Sequence, residues 1–396
     1  MEFPERFSNL PEYAFPRLRL LLDQYPAGKQ VLNMSVGDPK HHFPKWVKEV
    51  LEKNIHEFRQ YPPNDGSPEL LKAISRWIKR RYGVLVDNTT EIMALNGTRE
   101  GLFAALQALC PENKFGDRSI VLMPNPFYQV YAVASLAANV SPIYLTAMKS
   151  NKFLPDFSSV PEEFLTKTAV IYICSPSNPQ GSVASESYWQ NLLILAEKFN
   201  FRVFADECYS EIYREEPPVG ILEVANKIGT NPENVVSFHS LSKRSNMAGL
   251  RSGFVASGKN NISAIKKLRA YAGAPLPLPL QRVAEKLWDD EDHVEISRNL
   301  YKEKFILADT IFSDVESYNS PEAGFFLWLE VENDEKAAKK LWIEAGIKVL
   351  PGSYLSRDTK SGNPGKKYIR VALVEPIEEV AHGPVSYTHL TLPTKA

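Results

Sequence analysis

Strand and helix patterns alternate along the middle of the chain. Residues 91–108 combine an apolar strand, a glycine turn and a helical pattern, and apolar runs of strand length occupy residues 169–174 and 201–209. A continuous apolar run is typical of a strand that is covered on both faces. This order, from about residue 90 to 260, predicts a mostly parallel sheet covered by helices, with a site at the carboxyl ends of its strands.

Both ends of the chain carry further periodic segments. The patterns predict helices over residues 11–24, 45–55, 280–289, 290–315 and 334–345, and strands over 31–36, 325–331 and 367–374. A proline-rich break at 272–279 separates the central region from the later segments.

The last residues break these patterns. Residues 375–382 begin an amphipathic helix, Gly383-Pro384 interrupts it, and residues 386–396 show neither helical nor sustained strand periodicity. We predict that residues 384–396 are a non-native or disordered tail.

Composition excludes several classes of protein. The 396 residues carry a net charge of −1, which provides no basic stripe for nucleic acid and no polybasic patch for a membrane. The three cysteines are far apart in the sequence and show neither disulfide nor zinc spacing, so we expect no metal site. The N-terminus lacks the apolar core of a signal peptide. We therefore expect a cytoplasmic protein that binds no membrane.

One lysine follows directly on a buried strand. The apolar residues 235–238 lead into Ser240-Leu-Ser242-Lys243, and Arg251 lies eight positions further on. A buried ammonium group is costly unless it is neutralised or used. A lysine beside hydroxyl groups and a guanidinium indicates a Schiff-base lysine next to a bound phosphate. The alternative is a surface lysine after a strand.

Other polar motifs come at the ends of the predicted strands. Gly97 and Thr98 open a helix whose free N–H groups suit a phosphate. Asn178 follows the apolar run 169–174, and Asp206 ends the next buried run. Each motif has an ordinary alternative when taken alone, such as a common βα turn or an aspartate that caps the next helix. Because all of them fall at strand ends, the sheet is expected to bring them together.

Together these motifs resemble those of the class I/II aminotransferases, the pyridoxal-phosphate enzymes of fold type I. The matching motifs are Ser-Leu-Ser-Lys243, Gly-Leu-Arg251, Asn178-Pro-Gln-Gly and Asp206-Glu-Cys-Tyr. The resemblance implies an α/β fold in which the large cofactor-binding domain covers 46–285. A smaller α+β domain would be built from both chain ends, 1–45 and 286–383.

The resemblance implies a catalytic role for three residues. Lys243 would bind the aldehyde of pyridoxal phosphate and then act as the general base at the substrate Cα. Asp206 would pair with the pyridine nitrogen, so that the ring accepts electrons. Tyr209 would donate a hydrogen bond to the 3-oxygen of the cofactor.

The resemblance also implies the other contacts to cofactor and substrate. The phosphate would be bound by Gly97, Thr98, Arg99, Ser240, Ser242 and Arg251, with Tyr61 contributed by the neighbouring subunit of a homodimer. Tyr128 would stack on the pyridine ring, although core packing explains Tyr128 or Phe127 equally well, and Asn178 would contact the 3-oxygen. Arg370, with Gly37 and Asn178, would bind the substrate α-carboxylate; the alternative for Arg370 is a surface residue on an edge strand.

Among these enzymes the sequence most resembles the N-succinyldiaminopimelate aminotransferases of lysine biosynthesis. Residues 10–18, 37–42, 62–67, 125–131 and 242–253 carry this resemblance. It implies that amino-acid and keto-acid substrates bind, with glutamate as amino donor and N-succinyl-2-amino-6-ketopimelate as acceptor. Candidates for the group that binds the distal carboxylate are Lys40, His41, His42 and Arg99, each of which has a solvated surface charge as its alternative.

Other functions fit parts of the sequence. Another amino-acid aminotransferase or a C–S lyase would keep the fold and the cofactor. A serine acyl enzyme would use Ser240-x-x-Lys243 with Ser297-Arg-Asn299 and Lys360-Ser-Gly362, which follow one another in the order of that class. An aminotransferase-like sensor domain would need a fused DNA-binding domain, for which the N-terminus is too short.

Overall fold

A computed structural model describes residues 4–8, 10–360 and 362–381 of the protein. The strands are β1 (Leu32–Asn33), β2 (Ile92–Leu95), β3 (Asn113–Lys114), β4 (Asp117–Arg118), β5 (Ile120–Asn125), β6 (Ser141–Thr146), β7 (Thr168–Cys174), β8 (Arg202–Asp206), β9 (Val235–Ser240), β10 (Gly253–Ser257), β11 (Phe326–Glu330), β12 (Ile347–Lys348), β13 (Leu350–Pro351) and β14 (Tyr368–Ala372). The tail predicted at 384–396 lies outside the described residues.

The α-helices alternate with these strands. They are α1 (Ala14–Leu22), α2 (Val47–Asn54), α3 (Pro68–Tyr82), α4 (Thr98–Leu109), α5 (Gln129–Ala137), α6 (Glu162–Lys167), α7 (Glu186–Phe199), α8 (Ile221–Ile228), α9 (Leu241–Arg244), α10 (Lys259–Ala272), α11 (Leu278–Asp289), α12 (Asp292–Ile311) and α13 (Asp334–Ala345). Single turns of 3-10 helix cover Glu5–Phe7, Ile55–Arg59, Lys149–Asn151, Phe157–Ser159, Pro232–Asn234, Ala248–Leu250 and Gly352–Leu355. No helix in the described ranges is both long enough and apolar enough to cross a bilayer.

A seven-stranded sheet forms the centre of the molecule, in the order β2-β10-β9-β8-β7-β5-β6. Only β10 runs antiparallel to its neighbours. Along β7, Ile171 and Ile173 pack into one core cluster and Val170 and Tyr172 into the cluster on the opposite face. Both faces are therefore covered, which explains the continuous apolar runs. The predicted mostly parallel α/β sheet is confirmed.

A smaller three-stranded antiparallel sheet, in the order β11-β14-β13, has its own core cluster with α12 and α13. The N-terminal strand β1 pairs in parallel with β12, so both chain ends contribute to this part of the fold. The sequence pattern predicts a strand over residues 31–36, but only Leu32–Asn33 form one, because their partner β12 consists of two residues. The Ser35 carbonyl accepts a hydrogen bond from Arg370. The domain boundaries at 45/46 and 285/286 remain predictions.

Candidate active site

A cavity of about 280 Å³ opens where β7, β8 and β9 end. Its lining consists of Phe15, Val36, Gly37, Thr98, Arg99, Tyr128, Cys174, Asn178, Asp206, Cys208, Tyr209, Ser240, Ser242, Lys243, Ala248, Arg251, Phe326 and Arg370. The carboxyl ends of parallel strands meet at one edge of a sheet, so residues that are far apart in the sequence converge there. No group of three or more histidine, cysteine, aspartate or glutamate side chains with metal-binding geometry exists in the part of the chain that the structure describes.

Lys243 projects into this cavity from the short helix α9. Ser240, at the end of β9, caps the helix because its hydroxyl accepts a hydrogen bond from the backbone N–H of Ser242 at 3.1 Å. The Lys243 ammonium donates to the carbonyl of Gly37. Burial is the main cause that lowers the pKa of Lys243 to about 8. The side chain is therefore still mostly an ammonium at pH 7, but its neutral fraction is larger than that of an ordinary lysine.

Gly97, at the N-terminus of α4, lies against Arg251. Its backbone φ is +83°, which strains any residue other than glycine, and a Cβ atom there would lie 2.2 Å from Nη2 of Arg251, so a side chain would also displace the guanidinium. Arg251 donates to the carbonyl of Ala248 at 2.7 Å, which orients its guanidinium beside the start of the helix. Free helix N–H groups next to a guanidinium form a site suited to an anion such as phosphate.

Asp206 lies at the other side of the cavity and is only 5% exposed. Its Oδ2 accepts a hydrogen bond from the Tyr131 hydroxyl at 2.7 Å, whereas no described residue donates to Oδ1 with good hydrogen-bond geometry. Burial raises the pKa of Asp206, since desolvation disfavours the carboxylate. The thiol and backbone N–H of Cys208 nevertheless act to lower the pKa of the carboxyl group. A buried oxygen without a partner is costly, so this atom fits a ligand that brings a hydrogen-bond donor, best of all a cationic one.

Arg370 reaches the cavity from β14 and is 5% exposed. It donates to Oδ1 of Asn178 at 2.9 Å and to the carbonyl of Ser35 at 2.8 Å, and its guanidinium carbon lies 4.2 Å from the ring centre of Phe326. Nε has no partner in the described part of the chain, and burial lowers the pKa of Arg370 to about 10. A cation with an open donor fits a carboxylate ligand.

Most of the predicted site residues lie together. The cavity contains Gly37, Thr98, Arg99, Tyr128, Asn178, Asp206, Tyr209, Ser240, Ser242, Lys243, Arg251 and Arg370. Gly97 adjoins it through its contact with Arg251. Tyr61 is fully exposed and does not line the cavity, so a contribution to a second chain stays a prediction. The individual roles assigned to these residues also remain predictions.

Several residues at the cavity were not predicted from the sequence. Tyr131, which donates to Asp206, lies in α5 and carries no motif of its own. Cys208 approaches the hydroxyl of Thr98 at 3.0 Å between the anion site and Asp206. Phe15 and Phe326 close the cavity from the N-terminal segment and from β11. Phe15 and Phe326 could not be recognised as cavity residues from the sequence, since phenylalanine is equally common in a hydrophobic core.

Comparison with known proteins is consistent with this geometry. The family described as "Aminotransferase class I and II" matches residues 29–380. The LL-diaminopimelate aminotransferase of Dehalococcoides mccartyi is 31% identical over 97% of both chains. The crystal structure of an aminotransferase from Neisseria meningitidis superimposes with a TM-score of 0.90 at 37% identity, covering 96% of this chain and 97% of that one.

The predicted subfamily is not established by these relatives. A probable N-succinyldiaminopimelate aminotransferase from Thermus thermophilus has a TM-score of 0.84 but only 23% identity, over 95% of this chain and 99% of that one, and this likeness concerns the fold alone. The serine acyl-enzyme alternative is not retained, because the family match and the fold both point to aminotransferases. With the match spanning 29–380, the chain belongs to the class I and II aminotransferase family and is a pyridoxal-phosphate-dependent aminotransferase.

Proposed function

We propose that Lys243 is the cofactor-binding and proton-transferring lysine of an aminotransferase that acts on dicarboxylic amino acids of the diaminopimelate type. One observation carries this proposal. The same cavity is bordered by an amine with a lowered pKa, a carboxylate oxygen and a guanidinium nitrogen, and neither of the last two atoms has a hydrogen-bond partner among the described residues. Pyridoxal phosphate, when bound, supplies an electron-accepting ring that weakens the bonds at the amino-acid Cα.

The cofactor phosphate would be held at the N-terminus of α4. Gly97, Thr98 and Arg99 offer backbone N–H groups there, while Ser240, Ser242 and Arg251 offer hydroxyl and guanidinium donors. Asp206 Oδ1 would accept the proton of the pyridine nitrogen, and the Tyr131 hydroxyl keeps the other carboxylate oxygen in place. A carboxylate in this position favours the protonated ring nitrogen.

Lys243 would take the proton from the substrate Cα and hold it at Nζ. Because its pKa is about 8, the amine accepts a proton and releases it again near neutral pH. The Gly37 carbonyl accepts a hydrogen bond from Nζ and orients it toward the cavity. Tyr209 and Asn178 border the same space and would bind the 3-oxygen of the cofactor, with the Tyr128 ring against the pyridine.

Arg370 would bind the substrate α-carboxylate. Two of its nitrogens are fixed by Asn178 and Ser35, which holds the guanidinium in place, and Gly37 lines the same cavity. A guanidinium fixed by its neighbours loses little side-chain entropy when a carboxylate binds.

Arg99 is the best candidate among the residues proposed to bind the distal carboxylate. It borders the cavity and donates from Nε to the Tyr128 hydroxyl at 2.8 Å, whereas Lys40 and His42 are exposed and His41 is engaged away from the cavity. A remote carboxylate occurs in diaminopimelate and in its N-succinyl derivative. The name of the Dehalococcoides relative supports diaminopimelate as the substrate, whereas the sequence resemblance supports the N-succinyl derivative.

We further propose that the enzyme is a homodimer. Tyr61 is fully exposed in the single chain, as expected for a side chain that would reach the phosphate of a neighbouring subunit. Glutamate is proposed as the amino donor.

A half-reaction assay tests this function. Purified enzyme supplied with vitamin B6 is mixed with glutamate, LL-diaminopimelate, N-succinyl-LL-diaminopimelate or alanine, and the loss of visible cofactor absorbance is followed. We expect the dicarboxylic substrates to react at least about tenfold faster than alanine, and Arg99→Leu to reduce this preference, with exposed Arg118→Leu as the matched control. Pyruvate release from cystathionine without any amino transfer would instead indicate the C–S lyase.

A further inference from the structure

One face of α12 contacts the loop that covers Lys243. Ser297, Tyr301 and Lys304 follow one another at helical spacing, so their side chains share this face. All three meet His41, which lies in the loop 37–42 together with Gly37. The Gly37 carbonyl accepts the hydrogen bond from Lys243. The helix therefore holds the same loop that contacts the lysine.

Lys304 defines the hydrogen bonding of His41. Lys304 is 2% exposed, and its Nζ donates to Nε2 of His41 at 2.7 Å and to the carbonyls of Leu373 and Val374 at 3.1 and 3.4 Å. These three acceptors match the three N–H bonds of an ammonium group. Nε2 must then carry a lone pair, so the imidazole proton is assigned to Nδ1, which lies 3.4 Å from the Ser297 hydroxyl.

The charges of the pair agree with this assignment. Burial, followed by the charges of Lys304 and His42, lowers the pKa of His41 to about 4. Burial lowers the pKa of Lys304 to about 8, with Glu375 and Glu378 acting in the opposite direction. A neutral imidazole therefore faces a mostly charged ammonium at pH 7, and both ring nitrogens are used.

The same face of α12 also holds the segment after Lys243. The Ser297 hydroxyl accepts a hydrogen bond at 3.1 Å from Asn246, whose backbone φ is +54°. His41 packs on the Tyr301 ring at 4.4 Å, and Tyr301 stacks on Phe325 at 5.5 Å. The loop 37–42 and the segment following Lys243 are thus fixed to one rigid helix.

We propose that His41 is a positioning residue, which ties the loop 37–42 to α12 and so keeps the Gly37 carbonyl on the Lys243 amine. This inference rests on the proposed role of Lys243. His41, Ser297 and Lys304 do not line the cavity, so they act through the loop and not on the substrate. Gly37 itself leaves little slack, because a Cβ there would lie 2.5 Å from the Phe326 ring.

Releasing the loop has a measurable consequence for Lys243. Burial is the largest cause of its lowered pKa, and the neighbouring charged or titratable groups are Cys208, Asp38, Arg370 and Arg251. Cys208, Arg370 and Arg251 lie outside the loop 37–42. Asp38 lies within it and raises the pKa of Lys243, so its displacement would partly offset the larger effect of lost burial. If the loop loosens and water enters, the pKa of Lys243 should rise toward its ordinary value.

The test measures Lys243 in cofactor-free protein. Reductive methylation with formaldehyde labels neutral amines, and peptide mass spectrometry gives the labelling of Lys243 at each pH. For His41→Phe, which keeps a ring against Tyr301 but no ring nitrogens, we expect the labelling midpoint to rise by about one pH unit. His41→Gln, whose amide oxygen can accept from Lys304, should restore the midpoint, and His42→Phe is the exposed control on the same loop.

Steady-state kinetics of the cofactor-loaded enzyme provide the second measurement. We expect His41→Phe to lower kcat roughly tenfold with a smaller change in KM, because a misplaced proton-transfer group slows the reaction more than it weakens binding. An unchanged labelling midpoint in His41→Phe, or an equal shift in His42→Phe, overturns the inference. If His41→Phe does not fold, Ser297→Ala should move the midpoint in the same direction, and no movement overturns the inference. A shifted midpoint with unchanged kcat would instead overturn the proposed role of Lys243.

Discussion

Two lysines at opposite edges of the central sheet, the buried Lys114 and the partly buried Lys243, have similar pKa values but different surroundings. Lys114 donates to the carbonyls of Thr168, Phe199 and Asn200, and Lys243 donates to that of Gly37. Burial lowers the pKa of each to about 8. Lys114 does not line the cavity, whereas Lys243 projects into it.

The comparison shows that a lowered pKa does not by itself mark a reactive lysine. At Lys114 all three donors are used to satisfy carbonyls at the amino-terminal edge of the sheet, so the ammonium supports the structure. At Lys243 the one hydrogen bond within the described part of the chain goes to Gly37, and the same cavity holds a carboxylate oxygen and a guanidinium nitrogen that have no partner there. Open hydrogen-bonding capacity at a cavity distinguishes the chemical site from the structural one.

The largest expected effect separates the two lysines by activity. Lys243→Ala should remove the visible absorbance of the cofactor-loaded protein and lower amino transfer by at least about a thousandfold, because no other amine replaces it. Lys114→Met, in contrast, should leave the visible cofactor absorbance and the specific activity of the folded fraction unchanged. Absorbance spectra and initial rates measure both. Retained colour in Lys243→Ala would contradict the assignment.

A smaller effect is expected at Arg370. Arg370→Lys keeps the charge but loses the planar fork that Asn178 and Ser35 fix in place. We expect the KM for the amino acid to rise roughly 10- to 100-fold, which corresponds to about 1 to 3 kcal/mol. Exposed Arg118→Lys is the control. Equal KM values for the two variants would show that Arg370 does not bind the substrate carboxylate.

The smallest effect concerns stability, and it has opposite signs at the two lysines. The folded pKa of Lys243 is about 8 and its ordinary value is 10.5. Below pH 8 the folded state must therefore bury a charge, and this penalty disappears as pH rises from 8 to 10.5. Lys243→Met should stabilise cofactor-free protein by about 1 to 2 kcal/mol at pH 7 and by almost nothing above pH 10.5.

Lys114→Met should instead destabilise the protein at pH 7, since three carbonyls lose their donor and each orphaned group costs about 1 kcal/mol or more. Urea unfolding at several pH values measures both variants. Stabilisation by Lys114→Met equal to that by Lys243→Met would show that the hydrogen bonds of Lys114 to the three carbonyls do not stabilise the fold.

The sequence was sufficient to predict the residues at the strand ends. Lys243, Asp206 and Asn178 each follow an apolar run, and a parallel sheet brings such positions together whatever their distance along the chain. The local motifs, together with the rule that the carboxyl ends of parallel strands meet at one edge of a sheet, therefore predicted most of the residues that line the cavity. The antiparallel placement of β10 and the short extent of β1 depend on pairing partners, which the local pattern does not encode.

Contacts between segments that are distant along the chain could not be predicted from the local sequence pattern. His41 and Lys304 are 263 positions apart, and the periodicity of α12 identifies Lys304 as a helix residue without naming its partner. The same holds for Tyr131, whose hydroxyl reaches Asp206 from a helix that otherwise packs as core. Tyr61 is a different case, because its predicted partner would belong to a second chain.

The assignment of Lys243 is tested most directly by identifying the lysine that binds the cofactor. Protein purified with vitamin B6 is treated with borohydride, which reduces a Schiff base to a stable amine, and the peptides are analysed by mass spectrometry. We expect a reduced pyridoxyl-phosphate group on the peptide that contains Lys243 and none on the peptides with Lys114 or Lys304. Modification of another lysine, or no modification in fully supplemented protein, would contradict it.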